Sequence, residues 1–203
     1  MTKKKLKIVI PGGLDIDFKK YLEKNFKSKG VLSNYNIVSV NKKPGELTRE
    51  LLEASIKHGS KFIYFSSSEI YGNPFNKFVP TAESYHGNVS SISDRSCYDE
   101  SKRMGETYTY IYKNNFGVDS KIIRPFNFYG EGMRFSDERI IPRFFSQVLN
   151  NRPITVFSNG KQTRTYCHIF DSIVMICKII FKGKKFVYNV GNPTEEISAE
   201  KLA

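Results

Sequence analysis

The stretch Lys61-Phe62-Ile63-Tyr64-Phe65, followed at once by Ser66-Ser67-Ser68-Glu69-Ile70-Tyr71-Gly72, decides the fold that we expect for this chain. Five residues rich in aromatic and β-branched side chains, bounded by turn-forming residues, are typical of a short buried β-strand. The second stretch is rich in serine and ends in glycine, which favours a turn. We therefore predict a strand over residues 61–65 that leads into a turn over residues 66–72, named here the serine turn.

Downstream, Tyr98 and Lys102 stand four residues apart in a segment that we predict to be helical over residues 96–116. Residues four apart on a helix lie on the same face, so we expect the Lys102 ammonium beside the Tyr98 phenol. The spacing alone is weak evidence, because the chain holds 12 tyrosines and many lysines. Its position after the serine turn favours a functional interpretation over a solvated helix face.

A tyrosine and a lysine beside serine hydroxyls can carry out acid–base chemistry on an alcohol. A phenol with a pKa near ~10 is a poor base at neutral pH, but a fixed ammonium nearby favours the phenolate. Tyr98 can then remove a proton from a substrate alcohol, while Ser67 hydrogen-bonds the same oxygen. Proton removal is useful only when a hydride acceptor is present, which implies a nicotinamide cofactor.

Predicted strands and helices alternate along the chain, and this alternation favours a parallel α/β sheet. The predicted strands lie at residues 6–10, 37–40, 61–65, 121–124 and 186–190, and the predicted helices at residues 15–28, 46–58, 96–116, 138–150 and 171–181. In helix 96–116 the buried face is predicted from its apolar residues, which are Met104, Tyr108, Ile111 and Tyr112.

Near the C-terminal end we predict a hairpin and a capped helix. Residues 154–157 and 163–169 flank Asn159-Gly160, a dipeptide typical of hairpin turns. Asp171 is predicted to cap the helix that follows.

Composition and charge narrow the class of protein. The 203 residues are 39% hydrophobic and 14% aromatic, which predicts a globular fold. We find no apolar run long enough to span a bilayer. The cysteines Cys97, Cys167 and Cys177 are expected to be reduced thiols in a cytoplasmic protein. The net charge of +12 suits a phosphate-bearing substrate, but no nucleic-acid motif accompanies it, and the three histidines show no metal-ligand spacing.

Five motifs occur in an order that resembles the extended short-chain dehydrogenase/reductase family, the NAD-dependent nucleotide-sugar epimerases, dehydratases and decarboxylases. The motifs are the serine turn, the Tyr98–Lys102 pair, Arg124-Pro125-Phe126-Asn127-Phe128-Tyr129-Gly130, Gln162-Thr163-Arg164 and Asn189-Val190-Gly191-Asn192-Pro193. The likeness extends from about Glu46 to Ala203. Ser68-Glu69 and Cys97-Tyr98-Asp99-Glu100 look like the branch of UDP-glucuronate decarboxylases, with the 4-epimerases and 4,6-dehydratases of the same family as alternatives.

The resemblance implies a Rossmann-type sheet, NAD as cofactor, a UDP-glucuronate-like nucleotide sugar as substrate, and a homodimer. It implies a cofactor-binding domain over residues 1–130 and part of a substrate-binding region over residues 131–203. The residues that it assigns to catalysis are Tyr98, Lys102, Ser67 and Glu69. Those that it assigns to cofactor binding are Gly12, Gly13, Ser66, Tyr98 and Lys102. Those that it assigns to substrate binding are Asn127, Arg164 and Arg139.

The N-terminal region departs from the family pattern. The family has Gly-x-x-Gly-x-x-Gly after its first strand, whereas this chain has Pro11-Gly12-Gly13-Leu14-Asp15-Ile16-Asp17. The stretch before the serine turn is also shorter than in the family. Three interpretations therefore stay open: a working nucleotide-sugar enzyme, an inactive relative that binds a nucleotide sugar without turnover, and a basic module that binds polyanions.

Overall fold

The computed structural model of the protein describes residues 6–11, 35–40 and 44–203. The predicted helix over residues 15–28 and the glycines Gly12 and Gly13 lie outside these residues. The described residues fall into two compact units. Residues 6–11, 35–40, 44–125 and 178–189 form the first unit, and residues 126–177 and 190–203 form the second. The predicted assignment of a cofactor domain to residues 1–130 and a substrate region to residues 131–203 stays a prediction.

The first unit contains parallel strands. β1 (Leu6–Pro11) pairs parallel with β2 (Tyr35–Val40), and β3 (Phe62–Phe65) pairs parallel with β4 (Ser120–Pro125). The part of β8 (Val187–Val190) up to Asn189 also belongs to this unit, and it lies on the other side of β4. The parallel α/β arrangement predicted from the alternation is thereby confirmed.

Two long helices accompany these strands. α1 (Pro44–His58) has Glu46 in its first turn and Lys57 and His58 in its last, charges that complement the helix dipole. α2 (Ser96–Phe116) ends at Gly117, whose φ of 67° suits a residue without a side chain. Both helices confirm the sequence prediction to within two residues at each end.

The core of the first unit lies between these helices and the strands. The side chains of Leu52 on α1, Phe62 and Tyr64 on β3, and Val118 and Ile122 before and on β4 are buried together. Full burial of such a side chain stabilises the fold by roughly 1.5–3 kcal/mol, so this cluster anchors the end of β3 from which the serine turn starts.

The buried face predicted for α2 is partly wrong. Tyr108 and Tyr112 pack against the core, but Met104 is 50% exposed and Ile111 is also exposed. Gly105 and Thr109 are buried instead. The Tyr64 phenol occupies the space beside Gly105, so the helix approaches the sheet through a small residue rather than through its apolar ones.

The second unit contains short strands and helices. β5 (Phe128–Tyr129) pairs parallel with β7 (Cys167–His168), and β6 (Thr163–Thr165) pairs antiparallel with β9 (Glu196–Ser198). The helices are α3 (Ile140–Leu149) and α5 (Ala199–Leu202), together with the part of α4 (Ile169–Lys182) up to Cys177.

Two predictions near the C-terminal end are wrong. Residues 154–157 form no strand, and β6 pairs with β9 rather than in a hairpin around Asn159-Gly160. The reason lies in Thr155, whose backbone N–H donates to the Gln147 side chain of α3 and so needs no partner strand. Asp171 lies inside the first turn of α4, which begins at Ile169, and so does not cap it.

Among the helices that the structure describes, none has both the length and the apolar character that crossing a bilayer requires.

Candidate functional site

The serine turn follows β3 directly, as predicted, and is folded by its own side chains. Ser67 caps a short 3-10 helix (Ser68–Tyr71), and its Oγ accepts a hydrogen bond from the Glu69 backbone N–H at 3.2 Å. Gly72 ends the turn with a φ of 62°, and a Cβ there would lie 2.1 Å from the Asn88 carbonyl oxygen. The turn therefore requires glycine at its last position.

Lys102 connects α2 to the end of β3. Its Nζ donates a hydrogen bond to the Phe65 carbonyl oxygen at 2.9 Å. The same atom lies 5.8 Å from the ring centroid of Tyr98 and 5.8 Å from that of Tyr64. Burial lowers the pKa of the Lys102 ammonium from its ordinary value of 10.5. The predicted neighbourhood of Tyr98, Lys102 and the serine turn is thus present in the first unit.

Tyr98 and Ser66 differ in exposure. The Tyr98 side chain is 45% exposed, so its phenol is accessible from solvent. Ser66 is buried, its backbone N–H donates to the Ile123 carbonyl oxygen at 2.8 Å, and its Oγ has no hydrogen-bond partner among the described residues. A buried hydroxyl without a partner is costly, and a bound polar group that pairs with it removes that cost.

An arginine that the sequence analysis did not identify joins this group. Arg95 immediately precedes α2, and its Nη2 donates to the Glu69 carboxylate at 2.7 Å. Its backbone carbonyl accepts hydrogen bonds from the N–H groups of Tyr98 and Asp99. Its spacing of three residues from Tyr98 is the signal that would have identified it, since residues three apart on a helix are neighbours.

A second arginine holds the serine turn and α2 together from the buried side. Arg124 on β4 pairs with Glu106 through two hydrogen bonds, Nε to Oε1 at 2.8 Å and Nη2 to Oε2 at 2.6 Å. Its Nη1 donates to the Tyr71 phenol at 2.7 Å, and that phenol donates in turn to Asn189 at 2.7 Å. The Glu106 carboxylate keeps the pKa of Arg124 above its ordinary value even though burial opposes this.

Glu106 continues the face of α2 that carries the candidate catalytic residues. Tyr98, Lys102 and Glu106 follow one another at four-residue spacing, so they lie along one side of the helix. One residue from Lys102, Arg103 donates from Nη1 to the carbonyl oxygens of Ile70 at 3.1 Å and His86 at 2.8 Å. The serine turn is therefore attached to α2 by side chains on both sides of Lys102.

The second unit brings together the three residues predicted to bind substrate. Asn127, Arg139 and Arg164 all line a cavity of about 240 Å3. Asn127 has a positive φ of 37°, a conformation that asparagine tolerates, and its Nδ2 donates to the Thr165 carbonyl oxygen at 3.0 Å. Their roles in substrate binding stay predictions.

The two arginines of this cavity are held differently. Arg139 pairs through its guanidinium with Asp137, and this hydrogen bonding lowers the pKa of the Asp137 carboxyl against the opposing effect of burial. Arg164 lies on β6 opposite Ile197 and donates from Nη1 to the Thr163 carbonyl oxygen at 2.8 Å. The hairpin in which Arg164 was predicted to lie is thus replaced by the β6–β9 pair.

Comparison with known proteins identifies the family. Residues 29–191 match the NAD dependent epimerase/dehydratase family, which is more than half of the chain. UDP-glucuronic acid decarboxylase 1 of Arabidopsis thaliana is 37% identical over 161 residues, which are 79% of this chain and 37% of that protein. UDP-glucuronic acid decarboxylase 6 of the same plant is 35% identical over 165 residues, 81% of this chain and 48% of that protein. The chain therefore spans less than half the length of these curated relatives.

Solved structures show the same fold. The NAD dependent NDP-hexosamine 5,6-dehydratase TunA aligns with a TM-score of 0.77 at 20% identity, over 97% of this chain and 79% of that chain. UDP-glucuronic acid 4-epimerase from Bacillus cereus, crystallised with UDP-glucuronic acid and NAD, aligns with a TM-score of 0.69 at 22% identity, over 97% of this chain and 81% of that chain. These similarities confirm the predicted Rossmann-type α/β fold.

Proposed function

The chain belongs to the NAD dependent epimerase/dehydratase family, and we propose that it acts on a nucleotide sugar with NAD as cofactor, as a decarboxylase of UDP-glucuronate. The observation that carries this proposal is the placement of Lys102 between the Tyr98 ring and the end of β3, beside the serine turn. The names of the relatives in Arabidopsis thaliana supply the substrate and the reaction.

Tyr98 is the proposed base. The phenolate form of this exposed side chain accepts the proton of the sugar 4-hydroxyl and becomes a phenol, and the Lys102 ammonium supplies a positive charge beside the phenolate. Ser67 uses one oxygen lone pair for the Glu69 N–H, which leaves its own O–H free to donate to the sugar oxygen. The serine turn thus orients a donor while Tyr98 handles the proton.

The described residues fit a bound cofactor at the end of β3. The buried, unpartnered Ser66 hydroxyl and the Lys102 ammonium are the groups that would hold it, together with Gly12 and Gly13 as predicted from the sequence. NAD, when bound, supplies the hydride acceptor and donor that the chemistry at sugar C4 requires.

Decarboxylation follows from the chemistry of the substrate. A ketone at C4 makes the C5 carboxylate a β-keto acid, so the bond between C5 and the carboxyl carbon breaks and its electron pair flows into the ketone. Carbon dioxide leaves, and C5 is protonated. In this proposal Glu69 assists at the ring or orders water. For the cavity of the second unit, the proposal is that Asn127, Arg139 and Arg164 bind a phosphate-bearing nucleotide by charge-assisted hydrogen bonds.

The second candidate is an inactive relative that binds a nucleotide sugar without turnover. The stretch Pro11-Gly12-Gly13-Leu14-Asp15 favours it, because it lacks the third glycine and carries a negative charge where the family binds pyrophosphate. A 4-epimerase or a 4,6-dehydratase of the same family remains a further alternative, against which Ser68-Glu69 argues.

Calorimetric titration with NAD, in the presence and absence of UDP-glucuronate, separates a working enzyme of this family from the inactive relative and from the basic module. The decarboxylase proposal expects micromolar binding of NAD. Binding of UDP-glucuronate without any binding of NAD up to millimolar concentration would support the inactive relative. If the chain binds neither NAD nor UDP-glucuronate but binds polyanions with an affinity that falls steeply with salt, the basic module is supported.

The proposal extends to a homodimer in the cytoplasm. α1 and α2 carry exposed apolar side chains, namely Ile56, Met104, Tyr110 and Ile111, which suit a contact between two copies. The three cysteines are unpaired, which suits a reducing compartment. Sedimentation equilibrium of the chain and of a Met104→Glu, Tyr110→Glu variant tests the dimer, since the charged variant is expected to be monomeric.

A further inference from the structure

Arg95 is the basic side chain most open to a ligand near the serine turn. It is 64% exposed, and its Nη2 donates a hydrogen bond to the Glu69 carboxylate at 2.7 Å. A guanidinium has five N–H donors in a planar fork, so most of the hydrogen-bonding capacity of Arg95 faces solvent.

The other basic side chains around the turn donate hydrogen bonds to backbone carbonyls or to a carboxylate of the protein. Lys102 donates to the Phe65 carbonyl oxygen, and Arg103 donates to the carbonyl oxygens of Ile70 and His86. Arg124 is buried and paired with Glu106. Among these four described side chains, Arg95 is therefore the most exposed cation that a negatively charged substituent in this region would meet.

Glu69 makes such a cation necessary if the substrate is acidic. Its side chain is 35% exposed, and its backbone N–H donates to Oγ of Ser67, the hydroxyl that the proposed function assigns to the sugar oxygen. A sugar carboxylate placed beside an uncompensated Glu69 would be repelled by a like charge. Arg95 already donates to the Glu69 carboxylate and lies three residues before Tyr98, so its positive charge would compensate this repulsion.

We infer that Arg95 determines specificity for an acidic nucleotide sugar, by pairing with the sugar carboxylate while it neutralises Glu69. The inference rests on the proposed function, because it assigns a recognition role within the same site. It predicts that the chain distinguishes a uronate from the corresponding neutral hexose through this one side chain.

Equilibrium binding of UDP-glucuronate and of UDP-glucose tests the inference without requiring turnover. In the Arg95→Met variant we expect the Kd for UDP-glucuronate to rise about tenfold or more, the effect of losing a charge-assisted hydrogen bond. The Kd for UDP-glucose should change less than twofold. Arg49→Met is the matched control, since Arg49 is similarly exposed and pairs with Glu53 on α1; it should change neither Kd.

A second variant separates recognition from misfolding. Removing the Glu69 charge as well, in Arg95→Met with Glu69→Gln, should recover part of the lost affinity for UDP-glucuronate, which a misfolded site would not do. Equal weakening of both sugars by Arg95→Met, or no weakening of UDP-glucuronate, would overturn the role of Arg95. Failure of the unmodified chain to bind either sugar would instead refute the proposed function, and the inference with it.

Discussion

The Nζ of Lys102 lies 2.9 Å from the carbonyl oxygen of Phe65, the last residue of β3. This hydrogen bond fixes a cation from α2 at the end of the strand from which the serine turn starts. Because the ammonium is held by backbone on one side and faces the Tyr98 ring on the other, its position does not depend on a bound ligand. The candidate site is therefore organised without a ligand, which would reduce the reorganisation that the proposed reaction requires.

Lys102 should make the stability of the protein depend on alkaline pH. Burial places its folded pKa below the ordinary 10.5, so between the two values the unfolded chain binds more protons than the folded one. The free energy of unfolding of the natural chain, relative to Lys102→Met, should therefore rise with pH across that window and level off above 10.5. Denaturant titrations of both proteins at a series of pH values measure this difference.

Lys178→Met is a suitable control for the same titration, because it removes a lysine whose side chain is exposed on α4. A difference between the natural chain and Lys102→Met that stays constant with pH, or that falls as pH rises, would contradict the buried ammonium.

Gly105 should resist the substitution that normally stabilises a helix. Glycine to alanine in a helix interior usually adds about 0.5–1 kcal/mol, but a Cβ at Gly105 would lie 2.0 Å from the Tyr64 phenol oxygen. We expect Gly105→Ala to lower the free energy of unfolding by roughly 1–3 kcal/mol, as overpacking does. Chemical denaturation measures it, and Gly105→Ala should cost less in a Tyr64→Leu background than in the natural chain, because the smaller side chain leaves room for the Cβ. A Gly105→Ala variant more stable than the natural chain would show that the ring moves freely.

Replacing one partner of the Glu106–Arg124 pair should lower the free energy of unfolding more than replacing both partners. Both side chains are largely buried, 14% and 9% exposed. Arg124→Met leaves the Glu106 carboxylate without its partner and is expected to cost roughly 3–5 kcal/mol of unfolding free energy. The double variant with Glu106→Leu should be more stable than Arg124→Met alone, as a double-mutant cycle by denaturant titration would show. Additive losses would mean that the two residues act independently.

The local sequence predicted the elements that hold the candidate catalytic residues. Short apolar strands such as Phe62–Phe65 and the long helix that ends at Gly117 depend on patterning and turn residues that are visible within a few positions. The Tyr98–Lys102 relationship follows from helix geometry alone, and so it too was predictable.

Interactions between distant residues were not predictable in this way. Residues 154–157 are apolar enough for a strand, but the Gln147 side chain satisfies the Thr155 backbone, and β6 finds its partner more than thirty residues later. Met104 has the spacing of a core residue. However, α2 meets Tyr64 of the sheet at Gly105, and the Met104 side chain is left exposed. Tertiary packing decides both cases, and local pattern carries no information about it.

The candidate site likewise contains residues that the local sequence identified and residues that it did not. The sequence identified Ser67, Tyr98 and Lys102, but it did not identify Arg95 or the buried Arg124. Arg124 lies in a motif that the sequence analysis recognised. Its role in holding the serine turn to α2, however, depends on Glu106 and Tyr71, which are 18 and 53 positions away. Such partners become visible only when the strands and helices are placed together.

The release of labelled carbon dioxide tests the central claim most directly. The purified chain is incubated with NAD and UDP-glucuronate labelled at the carboxyl carbon, beside Tyr98→Phe and beside Tyr110→Phe, an exposed tyrosine on the same helix. The account predicts release by the natural chain and by Tyr110→Phe, and a rate about 10²–10⁴-fold lower for Tyr98→Phe, the usual loss when a general base is removed. No release by the natural chain, or equal rates for all three proteins, would contradict it.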